Sequence, residues 1–242
     1  MKSLLVLVSL CGMVLGGCHA PGAPGAVEER PDEVRDFAVL YKQNCAACHG
    51  EQGRGGIAVS LANPVYIAVA GKSAIAKYTA EGGPGALMPA FGRRYGGFLT
   101  DEQMNILADG IVRRWGLLGA LGSMKAPAYA ATLTGDAAAG KTLFANNCQR
   151  CHQLSGKQQV RDARGTVRVV GPVTEPEFLA LVSDQNLRST ILAGKPDEGM
   201  PDWRGYGAGP LSDQQVTDIV VWLASQRRQP VQEQEKTQGE KQ

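Results

Sequence analysis

Two short segments, NCAACHG at 44–50 and NCQRCHQ at 147–153, constrain this chain more than anything else in it. Each places a histidine directly behind a Cys-x-x-Cys pair, in a chain of 242 residues with only three histidines. Three chemistries use such a unit: zinc ligation, a redox disulfide, and covalent attachment of haem. Where the unit enters a helix turn, both thiols reach one edge of a flat macrocycle and can add to its two vinyl groups. The histidine then lies beneath the ring, where it can bind iron. Zinc would need four ligands, so both pairs would have to meet around one metal, leaving the histidines idle. A thioredoxin-like pair needs a strand–helix setting, whereas the preceding segments, DEVRDFAVLYKQNC and DAAAGKTLFANNC, read as helix.

The remaining cysteines point to export. MKSLLVLVSLCGMVLGGC has a charged start at Lys2 and an apolar run from Leu4 to Leu15, too short for a permanent membrane span. It closes on LGGC, the Leu-small-small-Cys pattern of bacterial lipoprotein signals. Residues 1–17 are therefore expected to be a signal peptide, with lipid on Cys18. Cleavage near Ala20, giving a freely soluble product, is the other reading. Each buried methylene adds about 0.8 kcal/mol, so more than one acyl chain would hold firmly. Residues 18–32 have tether composition. Of six cysteines, Cys11 and Cys18 fall in this leader and the other four in the two Cys-x-x-Cys-His units. None remains for a structural disulfide.

The chain is a duplication. Cys45 and Cys148 are offset by 103 positions, whereas Met88 and Met200 are offset by 112. At the second offset Pro64 lies over Pro176, Tyr66 over Phe178, Gly82 over Gly194, Pro84 over Pro196, and Met88-Pro89 over Met200-Pro201. The second copy thus holds nine extra residues between His152 and Glu175. The expected units are 33–115 and 136–228, joined by an Ala/Gly-rich linker at 116–135 and followed by a disordered tail at 229–242. Each unit reads as a first helix running into the Cys-x-x-Cys-His turn, a shorter helix at about 66–80 or 176–192, and a Gly/Pro-rich loop holding a methionine. A last helix follows, opened by a capping box, Thr100 with Gln103 or Ser212 with Gln215. Aromatics are 6% of the chain, thin for two cores, and a large flat cofactor in each unit would supply apolar bulk. A net charge of +2 argues against nucleic acid as the main partner.

On these motifs the chain resembles a tandem di-haem cytochrome c built from two class I domains, over about residues 33–228. It looks like the exported lipoprotein cytochromes of bacterial respiratory chains. The resemblance implies an all-α fold, a few helices around one covalently bound haem in each domain, and two haem c as cofactors. It implies thioethers at Cys45/Cys48 and Cys148/Cys151, proximal ligands His49 and His152, and distal ligands Met88 and Met200. The ligand inventory agrees. His19, the third histidine, sits beside the lipid-bearing cysteine, Met104 on a core-facing helix position, and Met124 in the linker. Met88 and Met200 precede prolines at matched loop positions, although core methionines filling gaps are the plain alternative.

With both axial positions filled, the iron transfers electrons and does not readily bind peroxide, nitrite or oxygen. No catalytic residue is therefore expected. The implied role is electron carriage between redox partners of a membrane respiratory or photosynthetic chain. The chain would be lipid-anchored, periplasmic or on the outer face of the cytoplasmic membrane. A fixed subunit of a larger membrane oxidoreductase complex is the alternative, and a di-haem peroxidase a third.

Four local expectations follow. Class I domains supply a backbone carbonyl to the proximal histidine from a Gly-Pro segment. Gly171-Pro172 fits, but Val59-Ser60 stands at the matching place, so the contact is expected only in the second copy. A first-helix glycine usually packs on a last-helix aromatic. Gly140 and Trp222 fit, while Phe37 and Gly110 exchange large and small. The extra segment, VRDARGTVRVV at 160–170, suggests a short β-hairpin turning near 163–165, either a docking edge through Arg161, Arg164 and Arg168 or a solvated cover. Phe91 and Trp203 are expected to pack near haem.

Overall fold

The computed structural model describes residues 29–85, 87–162, 165–205 and 209–227. The signal segment, Cys18, His19, the tail at 229–242, and Ala163 and Arg164 at the expected hairpin tip lie outside the described residues.

The fold is mainly helical, with one two-stranded sheet. In the first copy, α1 (Phe37–Asn44) leads into α2 (Ala46–His49), α3 (Pro64–Glu81) and α4 (Asp101–Trp115). In the second, α5 (Ala137–Asn147) is followed by β1 (Gln158–Arg161), β2 (Val167–Val170), α6 (Pro176–Leu181), α7 (Asp184–Ala193) and α8 (Asp213–Ser225). Helix α1 starts later than its sequence suggested, because Asp36 caps it by accepting from Val39 N at 2.8 Å. Both capping boxes form at the starts of α4 and α8.

The single helix expected over 176–192 is divided. Val182 and Ser183 are extended, and Ser183 restarts the chain as α7 by accepting from Asn186 N. The same break occurs inside α3, where Gly71, 112 positions earlier, takes φ 69° and ψ 163°. One copy makes the bend with glycine in the left-handed region, the other with a capping serine.

The first and last helices of each copy cross closely. A Cβ on Gly110 would lie 2.0 Å from Phe37 Cδ2, and one on Gly140 would lie 2.0 Å from Asp218 O and 2.9 Å from Trp222 Cβ. Phe37 therefore packs on Gly110 and Trp222 against Gly140, with large and small exchanged between the copies. Around the first crossing Phe37, Tyr41 and Trp115 form a ring cluster, with Tyr41 and Trp115 5.1 Å apart. Phe144 and Trp222 meet at 4.6 Å around the second.

The copies also hold each other through the linker. Tyr129 sets its ring against Tyr66 and Tyr78 of α3 at 6.1 and 5.7 Å. Its carbonyl accepts from Gln185 and Arg188 of α7 at 3.0 and 3.2 Å. Arg188 is 1% exposed, donates also to Ala128 O and Thr217 Oγ1, and pairs with Asp213. A buried guanidinium is tolerated when its donors are matched in this way. Asn63, the cap of α3, donates across to Ala193 O at 2.9 Å.

Gly140→Ala is expected to destabilise the protein by about 3 kcal/mol or more, because the obstruction is a helix carbonyl. Gly110→Ala should cost about 1–2 kcal/mol, since it meets a ring that can turn. Denaturant melts of the two variants check the order.

Candidate functional site

Each Cys-x-x-Cys-His unit grows out of the end of a helix, and the backbone bonds repeat. Cys45 N donates to Tyr41 O and Cys148 N to Phe144 O, both at 2.8 Å. His49 N donates to Cys45 O at 2.9 Å, and His152 N to Cys148 O at 2.8 Å. Asn44 and Asn147 each turn a side-chain amide back to the carbonyl four residues earlier, at 2.8 Å. The two turns therefore present the two thiols and the imidazole in the same way.

All four cysteines are free. Burial pushes the Cys45 and Cys148 thiols up to about 12, aided by the neighbouring Cys48 and Cys151. No group of three or more His, Cys, Asp or Glu suited to a metal occurs among the described residues. The zinc alternative therefore has no site there.

Both histidines make the same contact. His49 Nδ1 lies 2.8 Å from Val59 O, and His152 Nδ1 lies 3.2 Å from Gly171 O. A carbonyl only accepts, so Nδ1 carries the proton and Nε2 keeps a free lone pair. Burial lowers the pKa of both rings, which keeps them neutral.

The contact at His49 corrects the expectation that only the second copy would have one. Without proline, the first loop is closed by backbone approach. Ala58 N donates to Cys48 O at 3.0 Å, Ala62 N to Gly53 O at 2.9 Å, and Ser60 Oγ to Gly53 O at 3.0 Å. A Cβ on Gly56 would sit 2.1 Å from Cys48 O, and one on Gly50 1.8 Å from Arg54 O. Glycine packing does here what Pro172 does in the other copy.

Met88 and Met200 are both half-buried in matched loops. Gly83 N donates to Met88 O and Lys195 N to Met200 O, each at 2.9 Å, and these donors are themselves 112 positions apart. Beyond the methionines, Leu99 N donates to Phe91 O at 2.8 Å and Leu211 N to Trp203 O at 2.9 Å. Phe91 is half-buried against the first core and Trp203 is buried in the second.

A haem fits these residues on several counts. Each imidazole offers an oriented lone pair, and each thiol pair is unoxidised. Exposed apolar side chains stand beside the motifs: Ile57 at 93%, Leu87 at 63% and Leu154 at 48% exposure. Trp203 Nε1 is the one buried side-chain donor without a protein partner among the described residues, three positions beyond Met200. A carboxylate-bearing apolar ring matches both kinds of surface. Sequence reasoning missed that orphan donor, because a tryptophan gives no sign of its bonding state.

Gly56→Ala is expected to cost about 3 kcal/mol by forcing the Val59 loop off the Cys48 carbonyl. Gly55→Ala has open space around it and should cost only the strain of φ 80°, about 1–2 kcal/mol. Paired denaturation curves check the contrast.

Two protein families match the chain. Residues 137–227 match the Cytochrome c family, and residues 32–109 match Cytochrome C oxidase, cbb3-type, subunit III. The Cbb3-type cytochrome c oxidase subunit CcoP of Azospirillum sp. (strain B510) is 32% identical over 196 residues, covering 76% of this chain. The chain spans 58% of that relative's length. A chain of the Kuenenia stuttgartiensis reducing HAO-like protein complex aligns at TM-score 0.43 and 16% identity, over 81% of this chain and 99% of that one. The protein holds two cytochrome c domains, which imply two covalently bound haem c.

Proposed function

We propose that this tandem of cytochrome c domains is a di-haem electron-transfer protein of a membrane respiratory chain, with no catalytic centre of its own. Bound haem iron supplies the one-electron change between ferric and ferrous states. The chain's own residues attach, orient and enclose it. Cys45, Cys48, Cys148 and Cys151 provide thioether attachment. His49 and His152 would ligate through Nε2, held in that tautomer by Val59 O and Gly171 O. Met88 and Met200 would supply the distal thioether ligands. The observation that carries this reading is the duplicated histidine-to-carbonyl contact, made by two unlike loops to the same end. A backbone acceptor on a ligating imidazole raises its basicity and fixes its plane.

Thioether sulfur at the sixth position favours reduced iron and leaves no open site for peroxide. That separates an electron carrier from a di-haem peroxidase.

The leader supports export and anchoring. Residues 1–17 would be removed and Cys18 lipidated, with a tether at 18–32, domains at 33–115 and 136–228, a linker at 116–135 and a tail at 229–242. No helix among the described residues is long and apolar enough to cross a membrane. Lipid at Cys18 would hold the domains on the outer face of the cytoplasmic membrane, or otherwise on the periplasmic side.

A second reading is favoured by the likeness to CcoP: the chain serves as a fixed electron-transfer subunit of a membrane oxidase complex. Stable co-purification with an oxidase would select it, and isolation as a monomer that freely reduces an oxidase would select the carrier.

Intact mass and absorption spectra of the purified protein test the function. Two covalent haems per chain and a lipid increment on Cys18 are expected, with Cys18→Ala released to the soluble fraction. A colourless product would contradict the electron-transfer reading. A coloured product whose Cys18→Ala variant stays membrane-bound would contradict the anchor alone.

A further inference from the structure

The segment that is nine residues longer in the second copy, between His152 and Glu175, contains the β1–β2 hairpin, paired from Gln158↔Val170 to Arg161↔Val167. Its inward face holds Gln158, Val160, Arg168 and Val170, while Val167 and Val169 face outward and are exposed. The inward polar side chains are half-buried and each makes a defined bond. Gln158 Nε2 donates to Arg150 O at 2.7 Å, inside the Cys-x-x-Cys turn. Arg168 Nη2 donates to Asp197 O at 2.6 Å, in the short turn Pro196–Glu198 that leads to Met200. Arg168 Nε lies 3.5 Å from Asp162 Oδ2, and the Asp162 side chain is 7% exposed. Gly199, next to Met200, comes so near that a Cβ on it would lie 2.6 Å from Asp162 Cβ. One end of the hairpin thus grips the cysteine turn and the other grips the methionine loop.

Among the described residues the first copy has no such element. Its methionine loop runs through Gly82, Gly83, Pro84 and Gly85. Beyond Met88 it is held to α3 by Phe91 N donating to Thr79 O and Gly92 N to Ala80 O, both at 3.1 Å, and a Cβ on Gly85 would lie 3.2 Å from Ser183 Cβ. Met200 is paired with Lys195 by two backbone bonds, at 2.9 and 3.1 Å.

We propose that the β1–β2 hairpin is a strap that ties the methionine loop of the second domain to its Cys-x-x-Cys turn, so that Met200 is released far more slowly than Met88. Arg168, Asp162 and Gln158 are positioning residues, acting on Met200 through the loop. This rests on the reading of Met88 and Met200 as distal ligands. Two arginines of the hairpin then have a structural use: Arg168 serves the strap, and Arg161 donates to Gly165 O across the turn. The consequence is a functional asymmetry. The first centre gives up its methionine to a strong added ligand sooner, while the second holds its methionine longer.

The test uses full-length oxidised holoprotein in two backgrounds, Met88→His and Met200→His. The weak near-red band of methionine-bound ferric iron then reports a single loop in each. Added cyanide displaces the methionine, and the band's decay is timed. Decay at Met88 is expected to be at least about tenfold faster than at Met200, the effect of a few charge-assisted and backbone bonds. Arg168→Gln in the Met88→His background should speed decay at Met200 about fivefold or more, with Arg168→Lys in between and far-UV circular dichroism unchanged. In the Met200→His background the same substitution should leave the Met88 rate alone. Should Arg168→Gln fail to accumulate as holoprotein, Gln158→Ala cuts the other anchor and is expected to act in the same direction.

Equal rates at the two methionines, an Arg168→Gln rate at Met200 like the parent's, or a rise at both loops would each overturn the strap. A near-red band that survives in the Met88→His/Met200→His double variant would instead overturn the ligand reading on which it stands.

Discussion

The structure depends on how closely the last helix of each domain crosses the first. The first helix ends in the Cys-x-x-Cys-His turn, so its placement decides where two thiols and an imidazole stand. At one crossing the Asp218 carbonyl lies against Gly140, and at the other the Phe37 ring lies against Gly110. Asp136 N donates to the Asp218 carboxylate at 2.8 Å, tying the start of α5 to α8. A close approach is reached once with glycine on the first helix and once with glycine on the last. In each copy the small residue leaves room for the large group opposite it.

The same economy of geometry recurs nearer the chemistry. A carbonyl reaches each histidine Nδ1, but one loop is rigid because Pro172 follows Gly171, and the other because glycines at 50 and 56 let backbone close on backbone. The break in the middle helix is made by Gly71 in one domain and by Ser183 in the other. The domains diverge in a visible way at the β-hairpin, which spans from the cysteine turn to the methionine loop in the second alone. Between them, Tyr129 is clamped by Arg188 and Gln185 at its carbonyl and enclosed by Tyr66 and Tyr78 at its ring.

Much of this was legible in the sequence, where one residue type permits one geometry. The Cys-x-x-Cys-His units, the capping boxes at Thr100 and Ser212, the exchanged pair Phe37/Gly110 and the hairpin all rest on such local rules. The Val59 contact was not legible, because it depends on backbone approach between residues that carry no acceptor side chain of their own. The division of 176–192 was hidden because Ser183 sits in an otherwise periodic apolar pattern, and only the cap geometry reveals that it starts a helix. Nothing in the sequence marks Arg188 as buried. Its burial follows from carbonyls of the linker, which composition cannot place. The anchors of the hairpin, Gln158 to Arg150 O and Arg168 to Asp197 O, join segments whose proximity arises only in the fold.

Near-infrared magnetic circular dichroism of the oxidised full-length protein tests the central claim most directly, because ligand-to-metal charge-transfer energies distinguish sulfur from nitrogen or water at the sixth position. Two low-spin centres per chain, both with methionine sulfur opposite imidazole, are the expected result. A high-spin centre, or nitrogen at both axial positions of either iron, would contradict the assignment of Met88 and Met200 and with it the account of a closed, electron-transferring pair.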